Sequence, residues 1–294
     1  MDNTRGILLM VAAMAGFAIE DMFIKSVAEV MPIGQIIIAL GAGGALAFAI
    51  VAIRKGDPLV SRDLLCTPVI LRNLAEIVGT IGFVTAIALT PLSSASAIIQ
   101  ATPLVVTLGA ALFLGAEVGW RRWSAIIVGL IGVLIIIRPG LSGFEPASLF
   151  AVQAVIGLAI RDLATRAVPP GISSVKLSAY GFAMLIPTGT VLLLVMEQSM
   201  VTPTPGVTAA LCAGILVGVF AYYAITAAMR VGEIAVVTPF RYTRLIFALI
   251  IGVTVFNERP DAWTLIGAAI IIASGLYTLT REHRLQRRSR QVSP

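Results

Sequence analysis

The chain has 294 residues, of which 58% are hydrophobic and only 12% are charged. Soluble globular proteins are roughly 45–50% apolar and about 25% charged, so this composition excludes a water-soluble fold of the same size. The formal net charge is +6 at pH 7, and its meaning depends on where the basic residues lie.

Apolar runs fill almost the whole chain, and they are of a length that crosses a bilayer. About 20 helical residues at 1.5 Å each span about 30 Å of hydrocarbon. We therefore predict an all-α integral membrane protein with ten transmembrane helices. A β-barrel is not expected, because barrel strands alternate apolar and polar residues and stretches such as 126–137 do not. The predicted spans are 6–27, 33–53, 68–89, 93–115, 121–137, 147–167, 173–196, 207–229, 235–256 and 262–280.

The basic residues in the loops favour one side of the membrane. If both termini are cytoplasmic, fourteen lysines and arginines lie on the inner side and three on the outer side. This bias is typical of membrane proteins, which keep basic loops in the cytoplasm. We therefore expect a multi-pass protein of the bacterial inner membrane with both termini cytoplasmic. The basic tail, 281–294, is interpreted as a solvated cytoplasmic segment beside anionic lipid rather than a nucleic-acid-binding arm.

A weak internal repeat relates the two halves of the chain at an offset of 141 residues. Residues 13–25 (AMAGFAIEDMFIK) match residues 154–166 (AVIGLAIRDLATR), and the same offset pairs Glu117 with Glu258. Five helices per half is an odd number, so the halves, 1–140 and 141–280, would be inserted with opposite orientations. Two inverted five-helix repeats are typical of secondary transporters.

Four features in combination resemble one known family. They are the ten helices with an inward amino terminus, the five-plus-five duplication, LGAE at 114–117, and TPFRYTRLIFALI followed by FNE within 238–258. Together they resemble the EamA-type members of the drug/metabolite transporter superfamily over nearly the whole chain. Within that superfamily the chain is most similar to the amino acid exporters, including the aromatic amino acid exporter. The resemblance implies export of aromatic and other neutral amino acids by alternating access around a central cavity.

Polar side chains at membrane depth are costly and usually face a cavity or a partner. Arg241 and Arg244 are three residues apart and share one face of the ninth span. A guanidinium can hold a substrate carboxylate through two hydrogen bonds; the competing interpretation is permanent pairing with Glu76, Asp162 or a loop carboxylate. Gln100 is the repeat equivalent of Arg241. The predicted substrate-binding residues are Phe17, Glu76, Gln100, Tyr222, Arg241, Tyr242 and Arg244.

Four further charged residues are predicted to form a gate or to couple transport to protons, because a carboxyl group in a low-dielectric site can exchange protons. The simpler interpretation of Glu20, Asp21 and Glu76 is a salt bridge with Lys25 or Arg72 at a gate or a helix end. Asp21 and Asp162 occupy equivalent positions of the repeat, which favours a role in the shared fold. The gate or coupling candidates are Glu20, Asp21, Arg161 and Asp162.

Three prolines lie inside predicted spans: Pro103 in the fourth, Pro187 in the seventh and Pro239 in the ninth. Each lacks a backbone N–H and favours a kink. A kink can serve as a hinge, although a static bend is commoner.

Several chemistries lack the residues that they require. The single histidine, His283, lies in the tail, so no histidine-based metal site or catalytic triad is expected, and the P-loop motif is absent. We expect no enzyme activity, cofactor, metal or nucleic acid, and a monomer whose partners are its substrate and the bilayer. The sequence leaves open export of further small metabolites or drugs, exchange of a sugar phosphate and, in a different class, a membrane-embedded enzyme.

Overall fold

The structure is a computed structural model that describes residues 2–59, 61–113, 115, 119–141, 144–169, 171–231 and 234–292. Side chains at positions 63, 122, 226, 229, 230, 234, 235 and 279–292 lie outside that description. Regular structure in the described residues is helical, which confirms the all-α part of the predicted fold class. The α-helices are α1 (Asn3–Ala28), α2 (Ile33–Arg54), α3 (Thr67–Leu89), α4 (Leu92–Ile99), α5 (Thr102–Phe113), α6 (Trp120–Ile137), α7 (Ser148–Arg166), α8 (Ser174–Val195), α9 (Pro205–Val231), α10 (Ile234–Val237), α11 (Thr243–Thr254) and α12 (Ala262–Val292), with 3-10 helices at Arg62–Leu65 and Thr238–Tyr242.

Seven helical segments of the described chain are long and apolar enough to cross a membrane. They are α1, α2, α3, α4 with α5, α7, α8 and α9 up to Ile225. Trp123–Ile137 and Ala262–Thr278 are apolar but shorter, and the predicted ninth span is divided among α10, a 3-10 helix and α11. The chain is a multi-pass membrane protein, while the count of ten spans stays a prediction.

Two predicted spans differ from the continuous helices expected. The fourth is interrupted between α4 and α5, and the ninth passes through the 3-10 helix Thr238–Tyr242 before α11. Pro103 and Pro239 lie at these interruptions, where each removes a backbone donor that an unbroken helix would need. Pro187, by contrast, lies inside the continuous helix α8.

The chain divides into two compact units, each built from non-consecutive segments. Unit 1 comprises residues 1–18, 91–146 and 220–294, and unit 2 comprises residues 19–90 and 147–219. Two of the boundaries fall inside α1 and α9. The predicted halves 1–140 and 141–280 are divisions of the sequence, and they stay a prediction. Glu117 of the repeat lies outside the described residues.

In unit 2, α2 packs along α8 and α3 packs along α7. Glycine permits both close approaches. A Cβ atom added at Gly34 of α2 would lie 2.6 Å from the carbonyl oxygen of Gly189, and one added at Gly157 of α7 would lie 2.5 Å from the backbone nitrogen of Gly79. Small residues at such crossings let membrane helices gain dispersion contacts along their backbones.

In unit 1, α6 packs along α12 and α4 packs on α11. The first contact again uses paired glycines, because a Cβ atom at Gly267 would lie 2.6 Å from the carbonyl oxygen of Gly132. An apolar cluster forms around the start of α1. Its buried members are Met10, Ala13, Met14, Ala224, Ala228 and Val237, and Leu9, Phe17, Ile225, Phe240 and Phe247 pack against it.

Candidate functional site

The predicted site residues are divided between the two units, with the aromatic residues in unit 1 and the acidic residues in unit 2. Unit 1 contains six of the seven predicted substrate-binding residues: Phe17, Gln100, Tyr222, Arg241, Tyr242 and Arg244. Unit 2 contains the seventh together with the four gate or coupling candidates: Glu76, Glu20, Asp21, Arg161 and Asp162. The predicted carboxylates therefore all lie in unit 2, while unit 1 contains the two arginines predicted to bind substrate.

The two helix interruptions in unit 1 share one local hydrogen-bond pattern. Thr102 Oγ1 donates to the carbonyl oxygen of Ile99 at 2.6 Å, and Thr243 Oγ1 donates to that of Phe240 at 2.7 Å. The two threonines are 141 residues apart, so the offset read from the sequence recurs in these contacts. Each hydroxyl satisfies a carbonyl oxygen in the stretch where the regular helix is interrupted, which matters because bare backbone groups are costly in a membrane.

Gln100, at the first interruption, contacts Arg241, at the second. The side-chain amide of Gln100 donates to the backbone carbonyl oxygen of Arg241 at 3.3 Å. Gln100 is buried, whereas Arg241 is exposed. Gln100 thus contacts the backbone of the residue whose guanidinium is the predicted substrate ligand. Interrupted helices at substrate sites are a recurrent feature of secondary transporters.

Arg244 lies beside an aromatic ring. Its guanidinium carbon is 5.3 Å from the centre of the Phe17 ring, within the range of an attractive cation–π contact. Phe17 also packs against the apolar cluster around Met10 and Met14. The arrangement places a positive charge at the edge of an apolar surface, which suits a ligand that has both an anionic group and a hydrophobic part.

The two tyrosines of the predicted site differ in burial. Tyr222 on α9 is partly buried. Tyr242 is 6% exposed, and its hydroxyl has no hydrogen-bond partner within the described part of the chain. The ring of Tyr242 fits against Gly275 of α12, where any Cβ atom would overlap the hydroxyl. The role assigned to either tyrosine in binding stays a prediction.

In unit 2, Glu76 joins a charge network rather than standing alone. Arg161 Nη1 is 3.2 Å from Glu76 Oε1, and its Nε and Nη2 atoms donate to Asp162 Oδ1 at 3.0 and 2.8 Å. The second carboxylate oxygen of Glu76 is 3.4 Å from Arg72 Nη2. Arg72 also donates to the Leu177 carbonyl oxygen at 3.0 Å. The network links α3, α7 and α8.

The carboxylates of α1 have different surroundings. Glu20 is partly buried, and its carboxylate lies against Gly218 of α9. Asp21 is 1% exposed. Lys25 Nζ donates to the carbonyl oxygens of Ile87 and Thr90 at 3.2 and 2.6 Å, which places a positive charge at the negative end of α3.

Two polar contacts involve residues to which the sequence assigned no role. Glu258 accepts hydrogen bonds from the first residues of α4, and Arg138 Nη2 is 2.6 Å from Asp261 Oδ2. Burial alone would raise the pKa of Asp261, but hydrogen bonds from Thr264 and the Arg138 guanidinium outweigh it and hold that pKa below its usual 3.8. The repeat drew attention to Glu258, yet nothing in the sequence indicated its contact, since the partners are 166 and 165 residues apart.

Metal chemistry gains no support from the side-chain clusters. In the part of the chain that the structure describes, no group of three histidine, cysteine, aspartate or glutamate residues could hold a metal ion.

The known proteins to which the chain is similar are named as transporters of small molecules. The chain is 28% identical to the S-adenosylmethionine uptake transporter of Rickettsia conorii, over 76% of this chain and 74% of that protein. It is 30% identical to the riboflavin transporter of Rhizobium johnstonii, over 74% and 72%. It is 26% identical to the pseudopaline exporter CntI of Pseudomonas aeruginosa, over 92% and 94%.

A solved structure supports the fold, and a family match supports the assignment as a transporter. A crystal structure with 18% sequence identity covers 96% of this chain and 99% of its own, with a TM-score of 0.64, and supports the fold alone. The EamA-like transporter family matches residues 4–138 and again residues 146–280. The resemblance seen in the sequence is thereby confirmed at the level of the family. The chain belongs to the EamA-like transporter family.

Proposed function

We propose that this membrane transporter exports amino acids and close amino acid derivatives, and that Arg241 or Arg244 binds the substrate carboxylate. The observation that carries the proposal is the exposed Arg241 at an interrupted helix, with its backbone held by Gln100 at 3.3 Å. A guanidinium can hold a carboxylate through two parallel hydrogen bonds.

The hydrophobic part of the substrate would lie against the aromatic surface of unit 1. Phe17 carries Arg244 on one face and packs against the Met10 and Met14 cluster. A neutral or aromatic amino acid has a carboxylate and an apolar side chain a few bonds apart, which matches a cation beside an apolar surface. Tyr222 and Tyr242 extend the aromatic character of the same unit.

The named relatives support an organic metabolite but differ in substrate and direction. One is named for uptake of S-adenosylmethionine, one for riboflavin and one for export of pseudopaline. S-Adenosylmethionine carries the amino and carboxyl groups of methionine, so that name favours an amino acid derivative. Riboflavin lacks a carboxylate, so that name favours a broader range of metabolites or drugs.

A sugar-phosphate exchanger and a membrane-embedded enzyme are both less favoured. The exchanger would need several cations for a doubly charged phosphate, whereas Arg72 and Arg161 already contact Glu76. The enzyme has no support from the family, whose relatives are named as transporters.

The proposal includes a topology. The excess of basic residues on one side supports an inner-membrane location with both termini cytoplasmic. The 141-residue repeat supports two inverted halves, 1–140 and 141–280, which would alternate access to the substrate, followed by the basic tail 281–294. We further propose that the monomer is the working unit and that its partners are the substrate and lipid.

The test is transport in proteoliposomes. Labelled phenylalanine, tryptophan, threonine, methionine, S-adenosylmethionine, riboflavin and a sugar phosphate are each measured with and without a pH gradient. Losing a charge-assisted bidentate contact worth roughly 1.5–3 kcal/mol should raise KM about 10- to 150-fold in Arg241→Ala or Arg244→Ala. Phe17→Leu should raise KM only about twofold to fivefold, because the cation–π contact contributes roughly 0.5–1 kcal/mol.

Arg54→Ala is the matched control, since this exposed arginine closes α2 in unit 2. Saturable amino acid transport that Arg241→Ala or Arg244→Ala weakens, while the control transports normally, supports the proposal. Transport of riboflavin or the sugar phosphate alone, or amino acid transport that neither substitution changes, refutes it.

A further inference from the structure

Helix α4 is attached to the ninth span at both of its ends. At its amino end, Glu258, four residues after α11, accepts from the backbone nitrogens of Leu92 and Ser93 at 2.6 and 3.0 Å. At its carboxyl end, Gln100 donates to the carbonyl oxygen of Arg241, just before α11. The chain directions are therefore opposed, and α4 lies antiparallel to α11 with one link at each end.

The Glu258 link satisfies donors that have no local acceptor. The residue before α4 is Pro91, which provides no side-chain cap. The first N–H groups of a helix lack intrahelical partners, and leaving them bare in a membrane is costly. Glu258 accepts from both backbone nitrogens and also from Ser93 Oγ at 2.7 Å. One carboxylate from another part of the chain thus caps two of the first backbone N–H groups of α4.

The position of this cap determines where α4 can sit along α11. Eight residues of α4 span about 12 Å between the two links. A slide by one residue would shift Gln100 by about 1.5 Å along the helix axis. The Gln100–Arg241 contact is already 3.3 Å long, so such a slide would break it. The cap at one end therefore controls the contact at the other.

We propose that Glu258 is a positioning residue for transport: it sets the register of α4 on α11 and so holds the Arg241 backbone in the geometry that presents its guanidinium. The inference rests on the proposed function only for the role of Arg241 in binding. Glu258 does not itself contact the substrate. Glu258 fixes the axial position of α4 by capping its first residues, and that position determines whether Gln100 reaches the Arg241 carbonyl oxygen.

The first test is amide hydrogen exchange of the full chain in lipid nanodiscs, which needs no substrate. Glu258→Gln retains one acceptor oxygen but places an amide donor where Ser93 needs an acceptor. We expect exchange at least about tenfold faster in 92–99 and also in 238–243, at the opposite end of α4. Gln100→Ala should open 238–243 while leaving the start of α4 protected.

Asp261→Asn is the matched control. Asp261 accepts from the backbone nitrogen of Thr264 at 2.8 Å and caps α12 from the same loop. Its substitution should increase exchange near the start of α12 and leave 238–243 unchanged. If Glu258→Gln opens only the first turn of α4, or opens nothing, Glu258 is a local cap and the proposal is wrong.

The second test is transport kinetics for phenylalanine and S-adenosylmethionine. Glu258→Gln should raise KM severalfold in the parent but not in Arg241→Ala, because the two substitutions then disturb one contact. Asp261→Asn should leave KM unchanged. Equal effects of Glu258→Gln in both backgrounds would overturn the positioning role. An Arg241→Ala variant with parental KM would overturn the binding role of Arg241, and parental KM in Arg244→Ala as well would overturn the proposed function. Hydrogen exchange would still decide the role of Glu258.

Discussion

Replacing Arg161 with alanine tests whether the charge network of unit 2 holds its helices together. The substitution removes one contact to Glu76 at 3.2 Å and two to Asp162 at 3.0 and 2.8 Å. Removing one partner of a buried ion pair costs roughly 3–5 kcal/mol, because the remaining charge is left without compensation. The Arg161 and Asp162 side chains retain 26% and 32% exposure, so we expect the lower end, about 3 kcal/mol.

A second substitution separates loss of charge balance from loss of volume. Arg161→Ala removes the cation that contacts both Glu76 and Asp162, whereas Arg161→Ala with Asp162→Ala removes one charge of each sign. The Arg72–Glu76 pair at 3.4 Å then remains balanced. We expect the double variant to be at least about 1 kcal/mol more stable than the single one, a coupling typical of residues in one network.

The assay is equilibrium unfolding of the purified chain in mixed micelles, with the free energy of unfolding compared among variants. Arg166→Ala is the control, because Arg166 is exposed in the last turn of the same helix. If Arg161→Ala unfolds like Arg166→Ala, or if the double variant is no more stable than the single one, the network does not stabilise unit 2. Arg161 would then be better interpreted as a gate residue.

Two further outcomes follow from the contacts of each unit. Gly157→Ala should lower the free energy of unfolding by about 1–3 kcal/mol in the same assay, because its Cβ atom would lie 2.5 Å from the backbone nitrogen of Gly79. Gly171→Ala is the control, because the added atom would have open space around it. Equal stability of the two variants would contradict the close packing of α3 on α7. The lowered pKa of Asp261 implies stabilisation that is present above its usual 3.8 and is lost as the pH falls through the folded-state value. The difference in thermal unfolding temperature between the parent and Asp261→Asn should therefore narrow as the pH falls from neutral to below the usual 3.8 of the carboxyl group. A difference independent of pH would refute the assignment.

The fold class and the family could be predicted from the sequence because their signals are local or additive. The length of each apolar run is set by the thickness of hydrocarbon that it must cross. The repeat was visible because residues such as Asp21 and Asp162 recur at one offset, and the threonine contacts at the two helix interruptions recur at that offset as well. Pro103 and Pro239 indicated where regular helix would be disturbed.

The sequence offered the local salt bridge of Glu76 with Arg72, four residues away, which the structure forms at 3.4 Å. The long-range pairing of charges could not be predicted, because it depends on residues that the sequence places far apart. Glu76 was predicted to bind substrate, but it lies 85 residues before Arg161, which contacts it at 3.2 Å. Its place in a charge network became visible only with the packing of α3 on α7. Its role in binding stays a prediction.

The composition and the lengths of the apolar runs thus determined that the chain is helical and membrane-embedded, and the 141-residue repeat indicated that it is duplicated. Only the tertiary structure decided which residues share a unit: it grouped Phe17 with Arg244 and Gln100 with Arg241, and it brought Glu258 to the start of α4. The physical reason is that hydrophobic matching acts on each helix separately, whereas a hydrogen bond between helices requires their depth, direction and register to be fixed together.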